Sequence, residues 1–313
     1  MEEKIKPGNW DTSIIIESDV HRVVNIDDLK PAENVCQQTL KEIASLKRVS
    51  MAYVAMDWRA ASLPHRHQNT HEVYFILNGE GVMHVGLWGI DVRNDICVVI
   101  PKDNVHFLEN YTYMGNKQLT HLVFASPPFD KNDVNVENTY RNRVPSYFTF
   151  AEGGTNSKNE KYPLTFYKYG GPERDESLSL SATHHDPELD KSSSLNTIDG
   201  TEAYELVREK EISIFGKKYP VMNDLGFSLV LGILSAGRKA AIHSHKESDE
   251  IYYVLNGVGR VCIGNSEYDV RQGSVVYVPK GNMHSLQNLS ETELLRVLCV
   301  TSPQYENRDM YII

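Results

Sequence analysis

The sequence predicts an all-β chain built from two related domains. Three observations carry that prediction. A set of three histidines and one glutamate occurs twice at one spacing, short runs of β-type residues surround each copy, and Gly, Asn and Pro interrupt those runs at matching positions.

The repeat organises everything else. His65, His67, Glu72 and His106 are matched by His243, His245, Glu250 and His284, each pair 178 residues apart. The likeness extends past these four. Asn78-Gly79-x-Gly81 matches Asn256-Gly257-x-Gly259, Asp91-Val92-Arg93 matches Asp269-Val270-Arg271, Pro101-Lys102 matches Pro279-Lys280, and Asn110 matches Asn288. Ser126-Pro127 and Ser302-Pro303 lie 176 residues apart, so a two-residue length change falls before them. Each repeat covers roughly a hundred residues, an ordinary domain size.

The runs Val73 to Leu77 and Ile251 to Leu255 are β-branched, aromatic and aliphatic, and each ends at Asn-Gly, which is read as a hairpin turn. Ile96 to Ile100 and Ser274 to Val278 are similar runs stopped by Pro. Many short strands with this punctuation point to a sandwich or barrel and against alternating β and α units. One helix is expected before the first repeat, with Pro31 in its first turn and good helix formers over Ala32 to Lys47. Residues 151–200 turn polar and are read as a linker, with Leu164 to Tyr167 as a short strand inside it. The expected division is therefore 1–150, a linker over 151–200, and 201–313.

The chain has 313 residues and a formal net charge of −10. No basic cluster offers a track for phosphates, which argues against nucleic-acid binding. No apolar run approaches the ~20 residues that span a bilayer, and the start of the chain lacks a secretory pattern, so a cytoplasmic protein is expected. Cys36, Cys97, Cys262 and Cys299 show no C-x-x-C spacing and no repeat partner, so they are read as buried thiols.

On a strand, residues two apart share a face, so His-x-His aims two imidazoles the same way. A glutamate and a third histidine from neighbouring strands would complete a four-donor set. Neutral imidazole with carboxylate suits first-row divalent metals and leaves positions open for substrate.

With these residues in hand, the chain resembles the cupin superfamily, and in particular its two-barrel bicupin members. The cupin pattern is G-x5-H-x-H-x3,4-E-x6-G followed by G-x5-P-x-G-x2-H-x3-N. The second repeat carries it throughout, at Gly237, His243, His245, Glu250, Gly257, Gly273, Pro279, Gly281, His284 and Asn288. The first carries it at His65, His67, Glu72, Gly79, Pro101, His106 and Asn110 but has Arg59, Asp95 and Asp103 at three of the glycines. Asp95 and Asp103 are expected to hold the same left-handed turns; Arg59 is read as a different loop. The resemblance implies a double-stranded β-helix (jelly-roll) cupin barrel in each half, the two packed as a pseudo-dimer, with few short helices.

It also implies a metalloenzyme acting on a small molecule. The expected ion is Fe(II), with Mn(II), Ni(II) or Zn(II) as alternatives, and the expected reaction is that of a dioxygenase using dioxygen. A redox-neutral isomerase, epimerase or decarboxylase is the second reading, and a non-catalytic binding module the third. Glu72 and Glu250 are candidate proton acceptors. Tyr74 and Tyr252, two residues on, either donate to substrate or dioxygen or simply line the core. His71 is expected beside the site or at the surface, His84 and His121 as structural residues, and His184-His185 as solvated. A homo-oligomer is compatible with this layout.

Overall fold

The computed structural model describes residues 14–34, 38–86, 88–110, 117–137, 166–167, 197–198, 201–207, 210–214, 217–221, 225–306 and 308–312. Within them the chain is almost entirely strand, and the one helical element is a 3₁₀ turn at Lys131–Asp133. Among the described residues no helix is long and apolar enough to cross a membrane.

Each repeat folds as two facing sheets. In the first, a seven-stranded sheet runs in the order Ile15–Ile16, Thr39–Ser45, Ser50–Met56, Leu119–Ser126, His71–Asn78, Cys97–Ile100, Phe166–Tyr167. A five-stranded sheet faces it, in the order Val134–Val136, His65–His67, His106–Asn110, Glu80–Val85, Trp88–Arg93. The second repeat has the same two sheets. Its seven-stranded sheet is centred on Leu295–Ser302 and Asp249–Asn256, and its five-stranded sheet holds His284–Asn288, His243–His245 and, at one edge, Met310–Ile312. A separate two-stranded ribbon pairs Lys210–Ile214 with Lys217–Val221.

Strand alternation divides the apolar residues between two destinations. In His71–Asn78, Tyr74 and Ile76 point into the first barrel with Met56, Met83, Val85 and Leu108. Val73 and Phe75 point the other way, into a layer shared with Phe227, Leu229, Leu231, Tyr253 and Leu298 of the second repeat. The two seven-stranded sheets therefore pack back to back. Each such side chain contributes about 1.5–3 kcal/mol on burial, so this layer makes the pair one body. Phe124 and Phe227 meet across it at 5.8 Å between ring centroids. Asp95 and Arg296 form an ion pair across it at 3.0 Å.

The repeats also exchange strands. Arg22–Asn25 precedes the first repeat yet pairs with Ser274–Val278 of the second. Phe166–Tyr167, from between the repeats, pairs with Cys97 and Val98 of the first. That strand falls within the expected Leu164 to Tyr167 run. The rest of the polar 151–200 stretch, apart from 197–198, lies outside the described residues, as do Cys36 and His184-His185.

Three expectations are corrected. Among the described residues of 32–47 there is no helix. Ala32 makes an isolated bridge to Leu40, and Thr39–Ser45 is a strand paired with Ser50–Met56. Good intrinsic helix formers there yield to tertiary packing, because Ile43, Ala44 and Leu46 are buried in the shared layer. The Asn-Gly turns do not close hairpins. His71–Asn78 lies in one sheet and Glu80–Val85 in the other, so the turn is a corner where the chain changes sheets. Gly79 and Gly257 sit there at φ 97° and 93°, and a Cβ on Gly257 would lie 2.6 Å from the Leu294 carbonyl oxygen. Finally, Arg59 does not mark a different loop. Its φ is 61°, against 67° at Gly237, and Asp95 and Asp103, at 65° and 66°, hold the expected left-handed turns.

Two stability measurements follow from these turns. Arg59→Gly relieves about 1–2 kcal/mol of left-handed strain but gives back about 0.5–1 kcal/mol of chain entropy. It also loses a cation–π contact on Trp58, so urea unfolding should place it within about 1 kcal/mol of the parent. Gly257→Ala combines the same strain with a backbone clash and should lose about 3 kcal/mol or more in the same assay.

Candidate metal centre

Each four-residue set is assembled from three strands and one closure. His65 and His67 share one face of their short strand, and the register places His106 directly opposite His65. Glu72 enters from the facing sheet, on His71–Asn78. The second repeat repeats this, with His284 opposite His243 and Glu250 on Asp249–Asn256. In each set one donor atom per residue lies within 4.8 Å of all the others. His106 Nε2 is 2.7 Å from Glu72 Oε2, and His67 Nε2 is 3.5 Å from Oε1. In the second set His284 Nε2 is 2.7 Å, His245 Nε2 3.4 Å and His243 Nε2 3.8 Å from Glu250 Oε2. The first set is fully buried; the second is buried except for His243, which is partly open.

The outer ring nitrogens fix the tautomers. His65 Nδ1 lies 2.8 Å from the Leu63 carbonyl oxygen and His106 Nδ1 3.0 Å from that of Asn104. His243 and His284 repeat these contacts on Ala241 and Asn282, at 3.0 and 2.9 Å. A carbonyl can only accept, so each Nδ1 carries the proton and each Nε2 presents its lone pair to the centre. His106 and His284 then have an acceptor at both nitrogens. Only an imidazolium could satisfy both, or a cation placed between Nε2 and the carboxylate. His67 Nε2, buried without a hydrogen-bond partner, adds a donor atom that a cation would satisfy. The donor set therefore fits one divalent ion per barrel.

The electrostatics differ between the barrels. Burial, together with the neighbouring His106, lowers His65 to about 3, despite the opposing pull of Glu72. Burial raises Glu72 and Glu250, but the surrounding imidazoles outweigh it and hold both carboxyls well below their usual range. Burial also lowers His243 and His245, yet hydrogen bonding and charge from Glu250 leave both raised.

The remaining candidates fall into place around these sets. Tyr252 Oη donates to Glu250 Oε2 at 2.8 Å, and Tyr74 Oη reaches Glu72 Oε2 at 3.5 Å, so both tyrosines face inward onto the glutamates. His71 is buried, not at the surface, and accepts the Lys102 amide at 3.1 Å; Asp249 does the same for Lys280 at 2.9 Å. Both thereby anchor the loop leading to the last histidine. His84 pairs with Glu109 at 3.0 Å and stacks on Phe107, away from the site. His121 is buried inside the first barrel, stacked on Tyr74 at 5.1 Å, and burial lowers it to about 3.

Two carboxylates at the sites were missed in the sequence. Asp133 Oδ2 lies 3.9 Å from His67 Nδ1, and Asp309 Oδ2 lies 3.5 Å from His245 Nδ1. Phe129 and Tyr305 flank the same two histidines, at ring distances of 5.9 and 6.0 Å. Both pairs are 176 residues apart, the offset already set by the Ser-Pro pair. Carrying the repeat a few residues further would have found them.

Comparison with known proteins agrees with this architecture. A family model described as a cupin domain matches residues 230–301. An uncharacterised protein of Methanocaldococcus jannaschii is 34% identical over 86 residues, which is 28% of this chain and 68% of that protein. Among solved structures, oxalate decarboxylase of Lactobacillus farciminis, as a formate complex, aligns over 93% of this chain and 88% of its own at 15% identity, with a TM-score of 0.58. Salicylate 1,2-dioxygenase of Pseudoaminobacter salicylatoxidans, in adducts with gentisate, aligns over 91% and 81% at 14% identity, with a TM-score of 0.60. At these identities the structural matches establish the fold alone.

The opposite shifts in the two barrels are directly measurable. In chelator-treated protein, ring-proton titration by NMR should find His65 and His121 neutral down to about 3. His243 and His245 should hold their protons above the ordinary value of 6.5. Four histidines titrating together near the ordinary value would contradict the described packing.

Proposed function

The chain belongs to the cupin superfamily, and we propose that it is a metal-dependent bicupin enzyme acting on a small organic substrate, with oxygenase chemistry on Fe(II) as the leading reading. The observation that carries it is the convergence of three imidazoles and one carboxylate inside each apolar barrel, with four of the six outer nitrogens tied to backbone carbonyls. His65, His67, Glu72 and His106 would hold one ion, and His243, His245, Glu250 and His284 the other. Such an ion, when bound, supplies positive charge to stabilise anionic substrate and open positions for substrate and dioxygen.

The protein's own groups have distinct parts in this reading. His65 enters neutral, because burial holds its pKa down to about 3, whereas His243 and His245, raised by Glu250, give up a proton as an ion enters. Each glutamate stays ionised because the imidazoles hold its pKa down, which keeps its negative charge available to a cation and makes it only a weak base toward a substrate proton. Tyr74 and Tyr252 donate toward that carboxylate and would orient it, or turn to a substrate oxygen. The barrel walls exclude water, with Val54, Ile76 and Val98 in the first and Val254, Val261 and Val276 in the second.

A redox-neutral reading, decarboxylation or isomerisation with Mn(II), Ni(II) or Zn(II), is favoured by one observation: both barrels keep complete donor sets. The structural likeness to oxalate decarboxylase extends over nearly the whole chain. The two readings separate on the purified protein. Metal analysis should find about two ions per chain. Iron with substrate-dependent oxygen uptake supports the oxygenase, whereas turnover under nitrogen supports the lyase or isomerase.

His67→Ala and His245→Ala, made separately, should each lower metal content to about one ion per chain. Each should also abolish activity if its own barrel is catalytic. Full metal content in both variants would overturn the assignment.

A further inference from the structure

Four of the six histidines orient themselves on a carbonyl two residues back, but His67 and His245 do not. Their Nδ1 atoms are buried without a hydrogen-bond partner. In the second barrel the carboxylate oxygen facing that nitrogen, Asp309 Oδ2, is itself buried and unpartnered, 3.5 Å away. Two unsatisfied atoms of complementary character thus face each other. In the first barrel Asp133 Oδ2 lies 3.9 Å from the unpartnered His67 Nδ1, although there the oxygen also accepts two backbone amides. Both aspartates are buried, at 8% and 5% exposure, and both occupy corresponding places in the repeat.

We propose that Asp133 and Asp309 are positioning residues for the candidate metal centres, each accepting Nδ1–H of the middle histidine so that its Nε2 lone pair points at the ion. The assignment rests on the metal-binding reading above. Each aspartate also ties the segment between the histidines and the glutamate to the strand edge. Asp133 Oδ1 accepts the Gln68 amide at 3.1 Å and the Asn69 side chain at 2.9 Å, while Oδ2 accepts the Asn69 and Thr70 amides at 3.1 Å. Asp309 Oδ1 accepts the Glu247 amide at 2.6 Å, which leaves Oδ2 for the ring. A carboxylate behind an imidazole fixes the ring and raises its basicity as a ligand, and losing such a partner typically weakens metal binding 10–100-fold.

Asp309→Asn tests this in the full chain. The amide oxygen can still accept from Glu247, but its NH₂ then meets Nδ1–H, donor against donor. Chelator-stripped protein titrated with Mn(II) by calorimetry should show one of two sites weakened about 10–100-fold. The metal-free thermal midpoint should stay at the parental value. Asp133→Asn should weaken the other site, and Asp309→Glu should recover most of the affinity lost in Asp309→Asn. Parental Mn(II) affinity in Asp309→Asn overturns the proposal. So does equal loss in the Asn and Glu variants, or a loss that merely tracks a lower metal-free midpoint. Failure of the underlying reading would be visible separately, as a parent protein that takes up no Mn(II), Fe(II), Ni(II) or Zn(II).

Discussion

A carboxylate buried among imidazoles is the constraint on which the rest of this structure depends. Glu72 and Glu250 each expose only 5% of their surface. A lone carboxylate buried to that degree would be driven to its neutral form. The three histidines around each one reverse that outcome, and they can do so only if their rings are held in place. The short His-x-His strand, its direct pairing with the last histidine, and the carbonyl contacts at Nδ1 all serve that end. Removing one member of such a buried cluster leaves the others uncompensated, which typically costs about 3–5 kcal/mol.

The barrel carries this polar cluster because its remaining apolar surface is used twice. One face of each central strand lines the barrel and the other enters the layer between barrels. Strand exchange strengthens the join, since the segment ahead of the first repeat completes the second repeat's sheet. The repeats nevertheless diverge at the site. His121, buried on Tyr74 in the first barrel, has Val297 as its counterpart at the 176-residue offset. His243 in the second set is more open than His65 in the first. The sites share a ligand plan but not an environment.

The eight metal-ligand candidates and both inward tyrosines were legible from spacing alone, because strand periodicity and a gapless repeat fix which side chains share a face. The left-handed turns at Asp95 and Asp103 were legible from residue chemistry. Arg59 was not, because arginine has no intrinsic preference for that backbone region and is held there by the fold. The strand Thr39–Ser45 was misread as helix, since composition reports propensity while a buried sheet edge decides the outcome. The Asn-Gly corners were misread because local turn chemistry does not say which sheet the next strand will join. Asp133 and Asp309 lay beyond the length change and outside the recognised pattern.

X-ray absorption at the metal edge, on protein reconstituted with Fe(II) or Mn(II), tests the central claim most directly. The account predicts nitrogen and oxygen neighbours only, with imidazole scattering from about three histidines per ion and ligand distances of roughly 2.0–2.2 Å. A sulfur shell, an ion surrounded by water alone, or protein that returns from reconstitution without bound metal would contradict it.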